Sequence, residues 1–221
     1  MHHSLSPPQA SLGAAEKEQD VLARLRRHTH SAHVRINHHP FVSGLTRQGY
    51  SPQRYKALLA AYYHLYAAIE RHVEAMLDAT ATAFDYGQRK KLPWLAADLA
   101  WFGLDARHPP WRPSIEPELA TPPRPGALIG TLYVIEGATL GGQVVSRHLR
   151  TSMNIDSDTG ARFFTGYGDA EQTHRQWQQF AQFAGSIRGN EDELRHAERA
   201  ALDLFHLFES QLDDYHARFS H

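Results

Sequence analysis

Residues 128–150 read LIGTLYVIEGATLGGQVVSRHLR. Their apolar positions recur with a helical rather than an alternating period, and the run is long enough for several turns. Gly137, Gly141 and Gly142 interrupt it, each less favourable than alanine by about 1 kcal/mol in a helix interior. Two explanations fit. One is a GxxxG contact that lets two helices pack closely, or a turn between two shorter helices. The other is a backbone that lies almost on top of a flat ligand, with a local kink that keeps side chains away from it. Spacing alone leans toward packing. With Gly137 at 0°, Gly141 falls at about 40° and Tyr133 at about 320°, so one face offers backbone, backbone and a phenol, which Val144 continues. His148, about 10 Å beyond Gly141 along the axis, reads as structural or solvated.

Outward from this run, the same period recurs. From Asp20, a plausible N-cap, Leu22, Leu25, Thr29, His33 and Ile36 follow at spacings of three and four. Ser51-Pro52 opens a long helix to about residue 77, and Pro93 opens another through Trp101 and Phe102 with Gly103 as its stop. Pro109, Pro110, Pro113, Pro117, Pro122, Pro123 and Pro125 then forbid a helix interior and make an irregular connector. Further helices are expected near 170–184 and 190–218. No stretch alternates with period two for long, so the fold class is all-α. Residues 1–19 have almost no apolar periodicity and read as a disordered tail, leaving 20–221 as a single domain without internal repeats.

Composition narrows the chemistry. Lys and Arg number 23 against 24 Asp and Glu, a net charge of −1, which argues against a broad grip on nucleic acid or anionic lipid. The absence of cysteine excludes disulfides, cysteine zinc sites, iron–sulfur clusters, thiol nucleophiles and thiolate-ligated heme. No run approaches a bilayer span and the N-terminus lacks a signal-peptide layout, so a soluble cytoplasmic protein is the expectation. Sixteen histidines make metal or heme ligation a live question.

On the first helix, with Leu22 at 0°, Leu25 lies at about 300°, Thr29 at 340°, Ile36 at 320° and His33 at 20°, so His33 is expected to point inward. His28 and His30 lie off the stripe and His38 nearly opposite. An inward imidazole is either a core histidine bonded to a carbonyl or a heme iron ligand. Arg26, at about 40° and about 10 Å earlier along the axis, suits a cation near a propionate or an exposed arginine at the stripe's edge.

Together these stretches resemble the heme oxygenase family. LRRHTHSAHVRIN looks like its proximal helix and PFVSGLTRQGYSPQRYKALLAAYYHLYAAIE like its second helix. LYVIEGATLGGQ is similar to the distal helix of bacterial biliverdin-forming members, while FFTGYG and AERAALDLFHLFESQL match later helices. The resemblance implies a heme-oxygenase-like fold holding heme between a proximal first helix and a kinked, glycine-rich distal helix. It makes His33 the iron ligand, with Gly137 and Gly141 as flexible backbone above the heme and Gly142 beside them. Arg26 and Arg175 become propionate partners, and Phe208 an aromatic lining the pocket. Three positions depart from the mammalian pattern: Ala138 replaces the distal aspartate, Asn37 an acidic partner of the proximal histidine, and Gln179 a basic residue. Proton delivery must then use other groups, such as Tyr133 and ordered water.

The activity implied is cleavage of heme b, both substrate and cofactor, to biliverdin, carbon monoxide and ferrous iron with O2. No GxGxxG fingerprint is present, so electrons come from a separate reductase or ferredoxin. A biliverdin-using photoreceptor is a candidate recipient by family analogy. The alternative is a heme-binding or carrier protein of the same fold without turnover, kept open by Ala138 and Asn37. A diiron enzyme would want paired Glu-x-x-His elements, and only Glu193–His196 fits.

Overall fold

The computed structural model describes residues 20–108, 111–114 and 117–219. The expected tail at 1–19, and Pro109 and Pro110 of the connector, lie outside them. The described residues form helices and turns with no strand: α1 (Val21–His38), α2 (Pro40–Ser43), α3 (Pro52–Thr80), α4 (Leu92–Trp101), α5 (Pro125–Met153), α6 (Arg162–Thr165), α7 (Ala170–Ala184) and α8 (Glu191–Phe219).

Local chemistry sets the boundaries. Asp20 caps α1, its carboxylate accepting from the Leu22 N–H at 3.1 Å. Proline stands in the first turn of α3, α4 and α5, where a missing N–H leaves no helical bond unmade. Gly103, at φ +72°, follows α4 as the expected stop. The one-turn helices α2 and α6 were not expected. The His39 ring accepts from the Phe41 N–H at 3.1 Å to start α2. The Asp98 carboxylate accepts from the N–H groups of Arg162 and Phe163 at 2.7 and 2.8 Å to start α6.

Helix α5 lies at the centre, packed against α8, α7, α6 and α3. It runs through Gly137, Gly141 and Gly142 without a break in its helical assignment, so neither a turn nor a helix-splitting kink interrupts it there. Two other glycines, Gly126 and Gly130, make its closest contact. A Cβ on them would stand 2.0 Å from the Glu193 carbonyl oxygen and 2.1 Å from that of Ala197, both on α8. Only hydrogen fits there. By length and composition α5 is also apolar enough to cross a membrane, but 56% of that stretch is buried inside the protein.

Both α1 and α5 run parallel to α8. Arg24–Glu198 and Arg35–Glu209 join α1 to α8 at one sequence separation, 174, which His39–Asp213 continues just past the end of α1. Gly126 meets Glu193 at a separation of 67, and Gly130 meets Ala197 in the same register. Extended along the helices, these registers put His33 level with Leu207 and Gly137 level with Leu204, within one turn of each other.

Candidate functional site

The junction of α1 and α5 fixes which faces look at each other. Tyr133 sits half-buried on α5, its ring tilted against Trp177 at 6.2 Å between centroids. Burial raises its pKa, while a hydrogen bond with Thr29 and the charge of Arg26 act in the opposite direction. The Tyr133 side of α5 is therefore turned toward the Thr29 side of α1. One turn further on, the same two faces carry Gly137 and His33.

His33 departs from its expected inward placement. The buried arc of α1 is Val21, Leu25, Thr29 and Ala32, centred about 80° from His33 on the helical wheel. The imidazole is exposed at the edge of that arc, with its ring edge-on to Phe205 at 6.2 Å and 84°. Asn37, one turn later, places its amide nitrogen 3.3 Å from Nδ1 and 3.4 Å from Nε2. Desolvation, then the neighbouring His30 and Arg26, lowers the His33 pKa. At neutral pH the imidazole is thus held in the uncharged form that offers a lone pair to a metal.

Opposite it, a Cβ built on Gly137 or Gly141 would meet nothing within 4 Å. Gly141 is exposed, and Val144 on the same face is 45% exposed, one of few large apolar side chains so open to solvent. The face formed by Tyr133, Gly137, Gly141 and Val144 carries little side chain at its middle: Trp177 packs against its Tyr133 end, and among the described residues nothing comes within 4 Å of a Cβ on either glycine. Those glycines are not a packing contact. A heme fits this setting on two counts: a neutral, accessible imidazole supplies an iron ligand, and bare backbone leaves room for a flat apolar ring.

The remaining predicted residues separate. Arg26 is exposed beside the Tyr133 hydroxyl and His33, whose pKa values its charge lowers. Gly142 faces the other way: a Cβ there would stand 2.9 Å from the Phe164 carbonyl oxygen. Arg175 is exposed and bonded within its own helix to Glu171 and Gln172. Gln179 accepts from Arg89 at 3.1 Å. Phe208 is 7% exposed and lies edge-on to Tyr62 and Tyr66 at 6.1 and 5.9 Å, inside the aromatic core. The aromatic beside His33 is Phe205, one turn earlier. Glu193 accepts from the Gly126 N–H at 2.6 Å and from Arg124 at 2.8 Å, and so serves the start of α5.

A buried charge cluster behind the glycines went unread in the sequence. Glu136, the residue before Gly137, accepts from Arg89 at 2.9 Å, Lys91 at 3.1 Å and the Tyr167 hydroxyl at 2.8 Å. Burial lowers the Lys91 pKa against the pull of Glu136, and burial followed by the Glu136 charge raises that of Tyr167. The one local signal is a glutamate inside an apolar helical run. Its partners come from two distant segments.

Comparison with known proteins agrees with this architecture. The heme oxygenase family model matches residues 19–214. A heme oxygenase from Takifugu rubripes is 27% identical over 163 residues, 67% of this chain and 57% of its own length, so the chain spans a little over half of that relative. The solved heme oxygenase of Neisseria meningitidis superposes with TM-score 0.68 at 19% identity, covering 90% of this chain and 92% of that one. Heme oxygenase-2 of Synechocystis, solved with heme and NO, gives 0.72 at 17% identity, covering 91% and 87%. At these identities the superpositions speak for the fold.

Proposed function

Because this chain belongs to the heme oxygenase family, we propose that it binds heme b through His33 and opens the macrocycle with O2, giving biliverdin, carbon monoxide and ferrous iron. The observation that carries the reading is the pairing of faces: accessible, neutral His33 on α1 and side-chain-free Gly137 and Gly141 on α5, at one level of two parallel helices. When bound, the heme iron supplies the oxygen chemistry, and the protein supplies binding, orientation and electrostatics.

His33 would hold the heme iron through Nε2. Asn37 would orient it: with the side-chain amide turned so that Oδ1 accepts from Nδ1–H, the lone pair stays on Nε2, the atom that would hold the iron. A neutral amide partner leaves the imidazole less electron-rich than a carboxylate partner would. On the other side, Gly137 and Gly141 present backbone alone, so no side chain ligates or donates a proton at short range, and Ala138 adds none. Tyr133, held protonated by burial, keeps a hydroxyl donor at the margin of that space and orders water there. Arg26 would hold one propionate, and Arg175 a second if it exchanges its bonds to Glu171 and Gln172 for the carboxylate. Electrons arrive from a separate reductase or ferredoxin.

The test is an optical titration of the protein with heme, followed by a reductase system and air. A histidine-type Soret band that decays to a biliverdin absorption supports the reading. A stable oxy complex would assign the chain to heme carriage instead. Unchanged ferric spectra in His33→Ala would remove the ligand assignment.

A further inference from the structure

The FFTGYG motif at 163–168 has no part in the function proposed above, yet it runs along the back of α5 contact by contact. The Tyr167 hydroxyl donates to Glu136 at 2.8 Å. A Cβ on Gly166 would meet the Thr139 methyl at 2.6 Å, and one on Gly142 the Phe164 carbonyl oxygen at 2.9 Å. Gln143 donates from Nε2 to the Thr165 carbonyl at 2.7 Å, and the Ser146 hydroxyl lies 3.0 Å from that of Thr165. Positions 136, 139, 142, 143 and 146 form one face by the i, i+3, i+4 rule, and they bracket Gly137 and Gly141, which point the opposite way. The turn is itself anchored at its start, where Asp98 accepts from the N–H groups of Phe163 and of Arg162 just before it. Gly166 takes φ +64°, a left-handed conformation that glycine allows and that brings the backbone against Thr139.

Among the described residues nothing stands within 4 Å of a Cβ on Gly137 or Gly141 in front, and glycine is the weakest non-proline helix former. Its order has to come from behind. We propose that the 163–167 turn is a splint that holds the Gly137–Gly141 stretch helical, making Tyr167 and Glu136 positioning residues for the ligand face. Neither touches that face; they set how far its backbone can open. The functional part of this inference rests on the heme reading.

Two variants test it. Tyr167→Phe removes the hydroxyl and keeps the ring over Lys91 and against Trp94. Tyr55→Phe is the control, deleting a buried hydroxyl that donates to the Gly160 carbonyl at 2.8 Å, away from the glycines. In the heme-free protein, amide hydrogen exchange at 137–141 should rise at least tenfold in Tyr167→Phe and stay at the wild-type value in Tyr55→Phe, with 126–132 protected in both. Equal protection at 137–141, or loss spread evenly over the chain, overturns the splint. With heme and carbon monoxide bound, the C–O stretch should shift in Tyr167→Phe alone while the ferric spectrum stays that of the wild type. An unmoved stretch removes the positioning role. If the wild type binds no heme, the function proposed above fails, and the exchange result still decides the splint.

Discussion

Three glycines of one helix should answer the same substitution with opposite signs. Replacing an interior helical glycine by alanine gains about 0.8–1 kcal/mol of helix propensity. At Gly137 and Gly141 the new methyl meets nothing within 4 Å, so that gain is undiminished. The double variant should be more stable by roughly 2 kcal/mol, a rise of about 4–8 °C in midpoint for a chain of this size. At Gly130 the methyl would meet the Ala197 carbonyl at 2.1 Å, backbone against backbone. The helices must part there, and overpacking of about 1–3 kcal/mol outweighs the propensity gain. Thermal and urea unfolding of the heme-free protein, followed by circular dichroism, reads both signs, and a Soret titration of the same samples reads the consequence. The Gly137→Ala, Gly141→Ala protein should bind heme more weakly by a similar 1–3 kcal/mol, roughly five- to 150-fold. Loss of stability in that double variant would mean that the face is packed after all. Gain of stability with undiminished heme affinity would mean that the ligand sits elsewhere.

Other expectations can be checked separately. His33→Ala, at an exposed position, should change unfolding free energy by no more than about 0.5 kcal/mol while abolishing the histidine-ligated heme spectrum. Burial pushes the Asp98 carboxyl up to about 6, above its unfolded value, so between pH ~4 and ~6 the folded state binds more protons. Stability should fall as pH rises through that window, by about 3 kcal/mol at most, and Asp98→Asn should flatten the dependence in urea titrations run at several pH values. Glu136→Gln leaves Arg89 and Lys91 buried beside a neutral amide and should lower the urea-derived stability by about 3–5 kcal/mol. A loss under 1 kcal/mol would show that Lys91 simply sheds its proton.

Helices long enough to show a period were legible, because each also announces its ends: Asp20, Ser51-Pro52 and Gly103 stand where the sequence reading put them. The single turns Pro40–Ser43 and Arg162–Thr165 were not, since four residues show no period and their starts depend on His39 and Asp98. In the site, the helical wheel placed His33 beside Thr29 correctly but widened the buried arc. A wheel gives direction, and the neighbouring element decides where cover stops. Glycine spacing misled for the same reason. Gly126 and Gly130 share the four-residue interval of Gly137 and Gly141, and only the presence of α8 against the first pair separates a contact from a bare face. The Glu136 cluster draws on three separated segments, so no local pattern could announce it.

The shared separation of 174 residues between α1 and α8 bears on how the chain acquires its shape during synthesis. The first helix leaves the ribosome before α5, and the carboxylates that fasten it, from Glu191 to Asp213, emerge only after α7. Closing a loop of that length opposes docking by roughly 4–5 kcal/mol, while an exposed ion pair returns at most about 1 kcal/mol. Val21 and Leu25 must add their burial before the helix stays down. Until α8 emerges, the nascent polypeptide carries α1 undocked from it, and the His33 imidazole has no fixed opposite wall.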